Sequence, residues 1–287
     1  MRMMEEKTGK LYVVATPIGN LEDITLRAIR VLKEVSLIAA EDTRRTKKLL
    51  NAYGIQTPVV SLYDHVERKR SDILISRMKE GKDVAYVSDA GTPGISDPGY
   101  VLVNRSHAHG IQVVPIPGAS AAIATLSVAG LPMNSFVFIG FQPVKTAKRR
   151  LLLESLRNEK RTMIFYESPR RIMGLLKDLR DALGNRTAVF ARELTKVFEE
   201  IRRGSLDEII GGLEGRELKG EVTLVVAGGE RGDDTAGGEK VRALFEELNM
   251  GGEHLSAKEL VREIASATGL PKKEVYREVL KLLEERR

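Results

Sequence analysis

Residues 86–99 read YVSDAGTPGISDPG, an apolar strand pattern that breaks into a loop of glycine, proline and aspartate. The apolar, β-branched start is typical of a buried strand in a parallel sheet. Gly91, Gly94 and Gly99 can adopt positive φ angles and let a ligand approach the backbone, while the prolines between them stiffen the path. Ligands of open α/β sheets bind at the carboxyl ends of strands, so the stretch predicts a ligand-binding loop. A tight turn capped by Asp89 is the structural alternative.

Short apolar runs alternate with helical patterns on both sides of this loop, which predicts βαβ units and a mostly parallel sheet with helices on both faces. Strands are expected at residues 11–15, 37–40, 59–62, 84–87 and 112–116. Helices are expected at residues 26–32, 43–53, 67–79, 100–109 and 119–129. Gly130, Leu131 and Pro132 then interrupt the pattern, so residues 1–132 are predicted to form a first α/β domain.

A second set of strand and helix patterns follows this break. Strands are expected at residues 136–140, 162–166, 187–191 and 222–227, and helices at residues 148–158, 169–183 and 206–213. Residues 133–230 are therefore predicted to form a second α/β domain. The glycine-rich, polar run that follows predicts a linker at residues 231–238.

The last segment, residues 239–287, has three helical patterns. Ser256 and Glu259 form the sequence of a capping box, and Pro271 stands where a further helix would begin. The segment predicts a small helix-turn-helix-like domain. Its charge is balanced, so packing or a dimer contact stands beside RNA binding as its role.

Composition excludes several classes of site. The chain of 287 residues is 42% hydrophobic and contains no cysteine, which excludes disulfides, thiolate zinc sites and iron–sulfur clusters. Its four histidines lack metal-ligand spacing apart from His107 and His109, which have no acidic partner nearby in sequence, so no metal is expected. No apolar run approaches the roughly 20 residues that span a bilayer, and no signal-peptide pattern opens the sequence. We therefore expect a cytoplasmic protein with no membrane partner.

Positive charge is concentrated in one segment. The net charge is +6, and residues 141–203 carry 16 Lys and Arg against 8 Asp and Glu. Such an excess supplies phosphate contacts for a nucleic acid, although most charge runs are solvated helix faces. Aromatic residues make up only 5% of the chain and tryptophan is absent. A bound nucleic acid is therefore expected to be held mainly through its phosphates and shape.

Two further loops follow predicted strands, at residues 16–20 and 115–120. Because the carboxyl ends of parallel strands meet at one edge of a sheet, these loops and residues 89–99 are expected to converge. Asp42, at the end of the second strand, invites a dinucleotide-binding interpretation. The loop at residues 16–20 has one glycine rather than three, and the chain has no GxxxxGK motif, so a different cofactor geometry is indicated.

Seven motifs occur in order along almost the whole chain. They are LYVVATPIGNLEDITLRA (residues 11–28), AEDTR (40–44), SDAGTPGISDPG (88–99), IPGASA (116–121), FYESP (165–169), ELTK followed by FEE (193–200) and GEVTLVV (220–226). Together they resemble the ribosomal RNA small-subunit methyltransferase I family, which belongs to the tetrapyrrole-methylase-like, class III group of S-adenosylmethionine (SAM) enzymes. Seven collinear motifs are far more specific than any one of them.

The resemblance implies a fold and a reaction. The fold is two α/β domains of the tetrapyrrole-methylase type with a small C-terminal helical domain, assembled as a homodimer with SAM in the cleft between the α/β domains. The reaction is 2′-O-methylation of a cytidine in the decoding region of 16S ribosomal RNA (rRNA), with the assembled small ribosomal subunit as substrate. Two rival functions remain: a methylase of a tetrapyrrole or other small acidic substrate on the same fold, and a non-enzymatic RNA-binding protein.

The resemblance also assigns residues to the SAM site. The glycine-rich loop would offer backbone groups to the methionine and ribose portions, with Tyr166 near the adenine and residues 17–19 beside the methyl-donor end and the acceptor pocket. The residues expected to contact SAM are Pro17, Ile18, Gly19, Asp89, Ala90, Gly91, Thr92, Gly94, Ile95, Ser120, Ala121, Tyr166, Val222 and Thr223.

The ribose hydroxyl is a poor nucleophile, so a group that takes its proton would assist the transfer. The candidates are Asp89, Glu167, Glu193 and Lys196, and a lysine would need a depressed pKa. For Glu193 and Lys196, an ion pair between neighbours is the alternative. Members of the family often carry histidine after FYESP, whereas Arg170 stands there in this chain, which excludes a histidine base at that position. The residues expected to contact RNA are Arg44, Arg45, Lys47, Arg170, Arg171, Arg192 and Arg203.

Overall fold

The computed structural model describes residues 8–63, 67–229, 235–250 and 255–285. The chain divides into two compact units, Met1–Gly228 and Gly229–Arg287. His65 and His254 lie outside the described residues, as does the first half of the predicted linker at residues 231–238. The second half of that linker is not a loop, because a helix begins at Thr235.

The first unit opens with a five-stranded parallel sheet in the order β3-β2-β4-β1-β5. Its strands are β1 (Leu11–Val14), β2 (Leu37–Ala40), β3 (Val59–Ser61), β4 (Val84–Val87) and β5 (Val113–Ile116). Its helices are α1 (Leu26–Glu34), α2 (Thr43–Ala52), α3 (Glu67–Lys79), α4 (Tyr100–Ala108) and α5 (Ala121–Val128), with a 3-10 turn at Leu21–Asp23. Every residue of β2 and β4 is buried, since apolar clusters cover both faces of the sheet. The predicted parallel α/β arrangement is confirmed.

A second five-stranded sheet of the same unit has the order β6-β7-β10-β8-β9 and is mixed. Its strands are β6 (Phe136–Phe141), β7 (Thr162–Glu167), β8 (Thr187–Arg192), β9 (Glu200–Ser205) and β10 (Val222–Val226). Its helices are α6 (Thr146–Ser155), α7 (Ile172–Leu183) and α8 (Leu206–Leu213). The sequence did not predict β9, which reads EIRRGS. As an edge strand it pairs with β8 and exposes Arg202 and Arg203 to solvent, whereas Glu200 is ion-paired.

Helix α5 connects the two sheets. It follows β5 in the chain, yet its residues Ala122 and Leu126 pack in one buried cluster with Ile164, Val189 and Val225 of the second sheet. The loops at the end of the first sheet are thereby fixed against the second sheet. The predicted boundary at residue 132, which assigns α5 to the first domain, stays a prediction.

The second unit contains three helices, α9 (Thr235–Met250), α10 (Ala257–Thr268) and α11 (Lys272–Glu285). They enclose their own core, which includes Phe245, Ile264 and Val279. The predicted capping box is present, because Glu259 N donates to Ser256 Oγ and Ser256 N donates to the Glu259 carboxylate. Across the described ranges of both units, no helix combines the length and the apolar character needed to cross a membrane.

Candidate functional site

The end of the loop at residues 86–99 is anchored by two buried side chains. Tyr86 Oη donates to Pro98 O at 2.6 Å, and Glu67 Oε1 accepts from the backbone N of Gly99 at 2.9 Å and from two further amides at the start of α4. Glu67 therefore caps α4 from a neighbouring helix. Gly99 has φ = 120°, and a Cβ placed there would lie 2.4 Å from the Tyr86 ring. This end of the loop has no room for another residue type.

The three loops that follow β1, β4 and β5 meet at one edge of the first sheet. Thr16 and Gly91 exchange two backbone hydrogen bonds of 2.9 and 3.0 Å, which joins the first loop to the glycine-rich loop. Thr92 Oγ1 donates to Ala119 O at 3.2 Å, which joins the glycine-rich loop to the third. Their strands are neighbours in the order β4-β1-β5, so the predicted convergence is confirmed.

Asp89 connects the glycine-rich loop to α2. Its Oδ1 accepts from Asp42 N at 2.9 Å, and its Oδ2 lies 3.5 Å from Nη1 of Arg45. Asp42 in turn caps α2 by accepting from Arg44 N at 2.8 Å. Arg44 is also ion-paired with Asp42, but its side chain is 88% exposed, so its contact with RNA stays a prediction.

A cavity of about 240 Å³ opens beside these loops, between the two sheets of the first unit. Seven of its lining residues are predicted site residues: Pro17, Ile18, Gly19, Arg45, Asp89, Ala90 and Lys196. The sequence interpretation missed the other five, which are Thr16, Leu21, Lys48, Leu49 and Glu221. Lys48 follows Arg45 by three residues on α2, so helical spacing places both on one face.

A second cavity of about 30 Å³ shares Ile18 and Glu221 with the first. The predicted residues Ala121 and Thr223 line it as well. The remaining predicted SAM contacts line neither cavity: Gly91, Thr92, Gly94, Ile95, Ser120, Tyr166 and Val222. Val222 packs its side chain in the core of the second sheet, which leaves only its backbone for a ligand.

The loop at residues 193–199 brings the second sheet to this site. Asn20 N donates to Thr195 Oγ1 at 3.0 Å, and a Cβ at Gly19 would lie 2.5 Å from the Lys196 side chain. Glu193 and Thr195 have φ angles of 51° and 65°, a left-handed conformation that is strained for residues other than glycine. The tight contact at Gly19 explains why this position cannot carry a side chain.

Lys196 is held between two carboxylates. Its Nζ lies 2.8 Å from Glu193 Oε1 and 3.1 Å from Glu221 Oε2. Burial is the largest single influence and lowers the pKa of Lys196, but the hydrogen bonds and charges of the two glutamates outweigh it and the pKa is raised. The predicted ion-pair alternative is therefore present, and the depressed pKa that a lysine base would need is absent.

An aromatic group follows on the second sheet. Tyr166 Oη accepts from Ala122 N at 3.1 Å, at the start of α5, and its ring makes edge contacts with Phe138 and Phe141 at 5.1 and 5.6 Å. Burial raises the pKa of Tyr166. Tyr166 therefore lies next to the predicted SAM residues Ser120 and Ala121.

Asp97, which the sequence interpretation did not select, has the most unusual environment in the glycine-rich loop. Burial first, and then the charges of Glu41 and Asp89, raise its pKa to about 6, against the effect of a hydrogen bond from Ser88. Such a carboxyl titrates near neutral pH. Asp97 lies between Ser96 and Pro98 in the sequence, and neither neighbour indicates this shift of its pKa.

The predicted RNA-contacting residues differ in how far the fold engages their side chains. Arg171 is turned inward, where it is ion-paired with buried Glu167 and donates to two backbone carbonyls. Arg192 is likewise engaged with Glu200. In the described arrangement both arginines are therefore engaged within the fold, and their contact with RNA, like the role of Glu167 as a base, stays a prediction.

Three other predicted RNA contacts are exposed. Lys47 and Arg170 are exposed. Arg203 is exposed on β9, where its Nε donates to Ala129 O at 3.2 Å. Arg170 follows β7 near one edge of the second sheet, whereas β9 forms the opposite edge. Within the described residues, no group of three or more His, Asp or Glu side chains could hold a metal ion.

Comparisons with known proteins agree with this geometry. The sequence matches the family model described as Tetrapyrrole (Corrin/Porphyrin) Methylases over residues 10–210. The ribosomal RNA small subunit methyltransferase I of Pseudomonas aeruginosa is 47% identical over 277 residues, which cover 95% of this chain and 97% of the relative. The protein of the same name from Thermotoga maritima is 48% identical over 222 residues, which cover 77% of this chain and 100% of the relative.

The fold has solved counterparts. Uroporphyrin-III C-methyltransferase from Thermus thermophilus, in a complex with S-adenosylhomocysteine, matches with a TM-score of 0.54 at 20% identity, covering 76% of this chain and 97% of that one. This likeness shows the fold, and it confirms the predicted fold class. The near full-length identity to the relatives confirms the predicted family. The chain belongs to the tetrapyrrole (corrin/porphyrin) methylase family and, within it, to the methyltransferases of the ribosomal RNA small subunit methyltransferase I family.

Proposed function

We propose that this protein methylates the ribose 2′-hydroxyl of a cytidine in the decoding region of 16S rRNA, using SAM and acting on the assembled small ribosomal subunit. The observation that carries the proposal is the cavity of about 240 Å³, in a chain of this family. It combines glycine-containing loops, apolar walls and the cations Arg45, Lys48 and Lys196. That combination suits a sulfonium donor on one side and a phosphate-bearing acceptor on the other.

The residues present fit SAM. Gly91 has φ = 78° and contacts Ile18 so closely that a Cβ would lie 3.4 Å from its methyl group, whereas Gly94 has φ = 82° and open space at its Cβ position. Gly91 is buried with its N and O bonded to Thr16, whereas Gly94 is exposed, so the backbone of Gly94 is open to a ligand. Asp89, the loop carbonyls and the start of α5 supply polar partners, while Ile18 and Ala121 supply apolar contact for the nucleoside. SAM, when bound, supplies an electrophilic methyl group.

The protein's contribution is mainly the positioning of the acceptor oxygen. Arg45 and Lys48 would hold the phosphates that flank the ribose, on the side of the cavity opposite the second sheet. Lys196 is stabilised in its charged form, so it serves as a fixed positive charge and hydrogen-bond donor. Asp89 and Glu193 remain the candidates for taking the hydroxyl proton, since Asp89 lines this cavity and Glu193 is paired with Lys196, which lines it as well.

Assembly and location complete the proposal. The protein acts in the cytoplasm as a homodimer, with RNA held through phosphates and shape. We keep the division into domains at residues 1–132, 133–230 and 239–287, with the segment between the last two as a connection. The helical unit has no assigned task in the chemistry.

Labelled SAM tests the proposed function directly. The protein is incubated with small ribosomal subunits, naked 16S rRNA and a porphyrin precursor in separate reactions. Label on subunits, located on one cytidine ribose by nuclease digestion and mass spectrometry, is the expected result. Label on the porphyrin alone would assign the small-substrate methylase function, and RNA binding without SAM binding in calorimetry would assign the non-enzymatic function.

A further inference from the structure

Two exposed apolar side chains directly follow Lys196, which lines the larger cavity. Val197 is 93% exposed and Phe198 is 73% exposed. They occupy the two corners of a tight turn that Glu199 N closes by donating to Lys196 O at 3.1 Å. Since Lys196 lines the cavity, the turn projects an aromatic ring into solvent next to the proposed acceptor site.

The turn is held rigidly in this position. Thr195 N donates to Glu199 Oε2 at 2.6 Å, and the hydroxyl of Thr195 accepts from Asn20 N at 3.0 Å. The left-handed conformations of Glu193 and Thr195 persist because these bonds and the Lys196 ion pairs hold them. The backbone that carries Phe198 is therefore held in place by bonds on both sides of the turn.

Most of the charged side chains around the turn have partners within the protein. Glu199 accepts from Thr195 N, and Glu193 is paired with Lys196. Glu200 lies within 3.1 Å of the guanidinium groups of three arginines, which are Arg192, Arg202 and Arg216. Glu193 and Glu200 are therefore paired with cations, whereas Glu199 is exposed and is held by the Thr195 amide. A polyanion can approach Phe198 while the cations of α2 hold its backbone.

We infer that Phe198 is a stacking platform for an unpaired base of the RNA, next to the nucleotide that enters the cavity. The inference rests on the proposed function. Single-stranded RNA is recognised by stacking splayed bases on aromatic rings, and each stacked base contributes about 1–3 kcal/mol by alanine substitution. Arg45 and Lys48 would hold the phosphates of the same strand through charge alone. Stacking on Phe198 would then fix which nucleotide of that strand enters the cavity.

The first test compares Phe198→Ala and Phe198→Trp in methyl transfer to small ribosomal subunits. Loss of the ring should raise the KM for subunits by about fivefold or more, as follows from the lower limit of the stacking energy, while the KM for SAM stays within about twofold. Phe198→Trp keeps an aromatic face and should retain the wild-type KM for subunits. An unchanged KM for subunits in Phe198→Ala would overturn the inference.

The second test uses the absence of tryptophan from the chain. Phe198→Trp introduces the sole tryptophan, whose fluorescence should be quenched when a base stacks on it. The matched control is Leu151→Trp, since Leu151 is 72% exposed on α6 and also follows basic residues. Quenching by subunits at position 198 but not at position 151 is the expected result, and equal quenching at both would contradict stacking.

A contact with a second copy of the chain is the competing role for Phe198. Sedimentation of Phe198→Ala distinguishes the two, because a stacking residue should leave the mass of the particle unchanged. A loss of oligomer in this variant would overturn the inference in favour of a subunit contact. A wild-type protein that methylates no RNA would overturn the proposed function instead, whereas wild-type activity with an unaffected Phe198→Ala variant would overturn only the stacking role.

Discussion

The two loops that border the larger cavity reach similar backbone conformations by different means. In the glycine-rich loop of the first sheet, three of the four positive φ angles belong to glycines, at residues 91, 94 and 99, and the fourth belongs to Ser96, with φ = 68°. In the loop at residues 193–199 of the second sheet, they belong to Glu193 and Thr195. Glycine adopts this conformation without steric cost, whereas a residue with a Cβ is strained by about 1–3 kcal/mol.

The difference determines what each loop depends on. The first loop needs the absence of side chains, so its weak points are the positions where a Cβ would collide. The second loop needs the presence of side chains, because hydrogen bonds and ion pairs of Thr195, Lys196 and Glu199 hold a strained backbone. Substitutions that add atoms should therefore disrupt the first loop, and substitutions that remove hydrogen-bonding or charged groups should disrupt the second.

The largest expected effect follows from adding one methyl group at Gly99. Gly99→Ala should lower the free energy of unfolding by about 3 kcal/mol or more, because backbone strain adds to a clash with the Tyr86 ring 2.4 Å away. Gly94→Ala is the matched control, with a φ of 82° and no atom within 4 Å of its Cβ, and should cost only about 1 kcal/mol. Urea denaturation of both variants measures the difference. Equal losses of stability would show that φ alone, and not the contact with Tyr86, requires glycine.

Removing the charge of the second loop should act on activity more than on stability. Lys196→Met leaves the carboxylates of Glu193 and Glu221 facing each other without a cation and should reduce kcat/KM for methyl transfer about a hundredfold, as is typical when a reacting group is misplaced. Lys196→Arg should recover part of this loss, since it restores the charge but not the geometry. The change in kcat/KM of both variants is measured by the methylation of small ribosomal subunits at saturating SAM. A Lys196→Met variant with wild-type kcat/KM would contradict any role of this ion pair in the site.

Much of the fold is predictable from the sequence because parallel strands have a simple signature. The expected strands at residues 37–40 and 84–87 coincide with β2 and β4, since a run that is buried on both faces is apolar throughout. The opposite holds for β9, where only β8 is a neighbour and charged residues dominate. An edge strand of this kind is defined by its partner and not by its own composition.

The site was predictable where it is local and not where it depends on pairing across the sheets. The glycine-rich loop was found because glycine and proline leave a signature at a strand end. Glu221 faces Lys196 only because β10 pairs with β8, with Val222 opposite Arg192, and no local pattern shows this. Arg171 and Arg192 were assigned to RNA from their charge, whereas partners distant in sequence or across a strand engage them.

The smallest expected effect concerns Asp97 in the glycine-rich loop, whose pKa is raised to about 6 by burial and by Glu41 and Asp89. A carboxyl group with a raised pKa stabilises the fold below its unfolded pKa near 4, and this contribution is lost as the pH rises through about 6. Relative to the wild type, the free energy of unfolding of Asp97→Asn should therefore increase by about 1 kcal/mol between pH 4 and pH 7.5. This figure is reduced for the partial exposure of the side chain.

Urea denaturation at several pH values measures this difference, and Ser88→Ala provides the control. The hydrogen bond from Ser88 lowers the pKa of Asp97, so its removal should move the loss of stability to higher pH. A pH dependence that is identical in the wild type and in Asp97→Asn would assign the titration to another group. In that case, Asp97 in the glycine-rich loop would make no contribution to the free energy of unfolding that depends on pH.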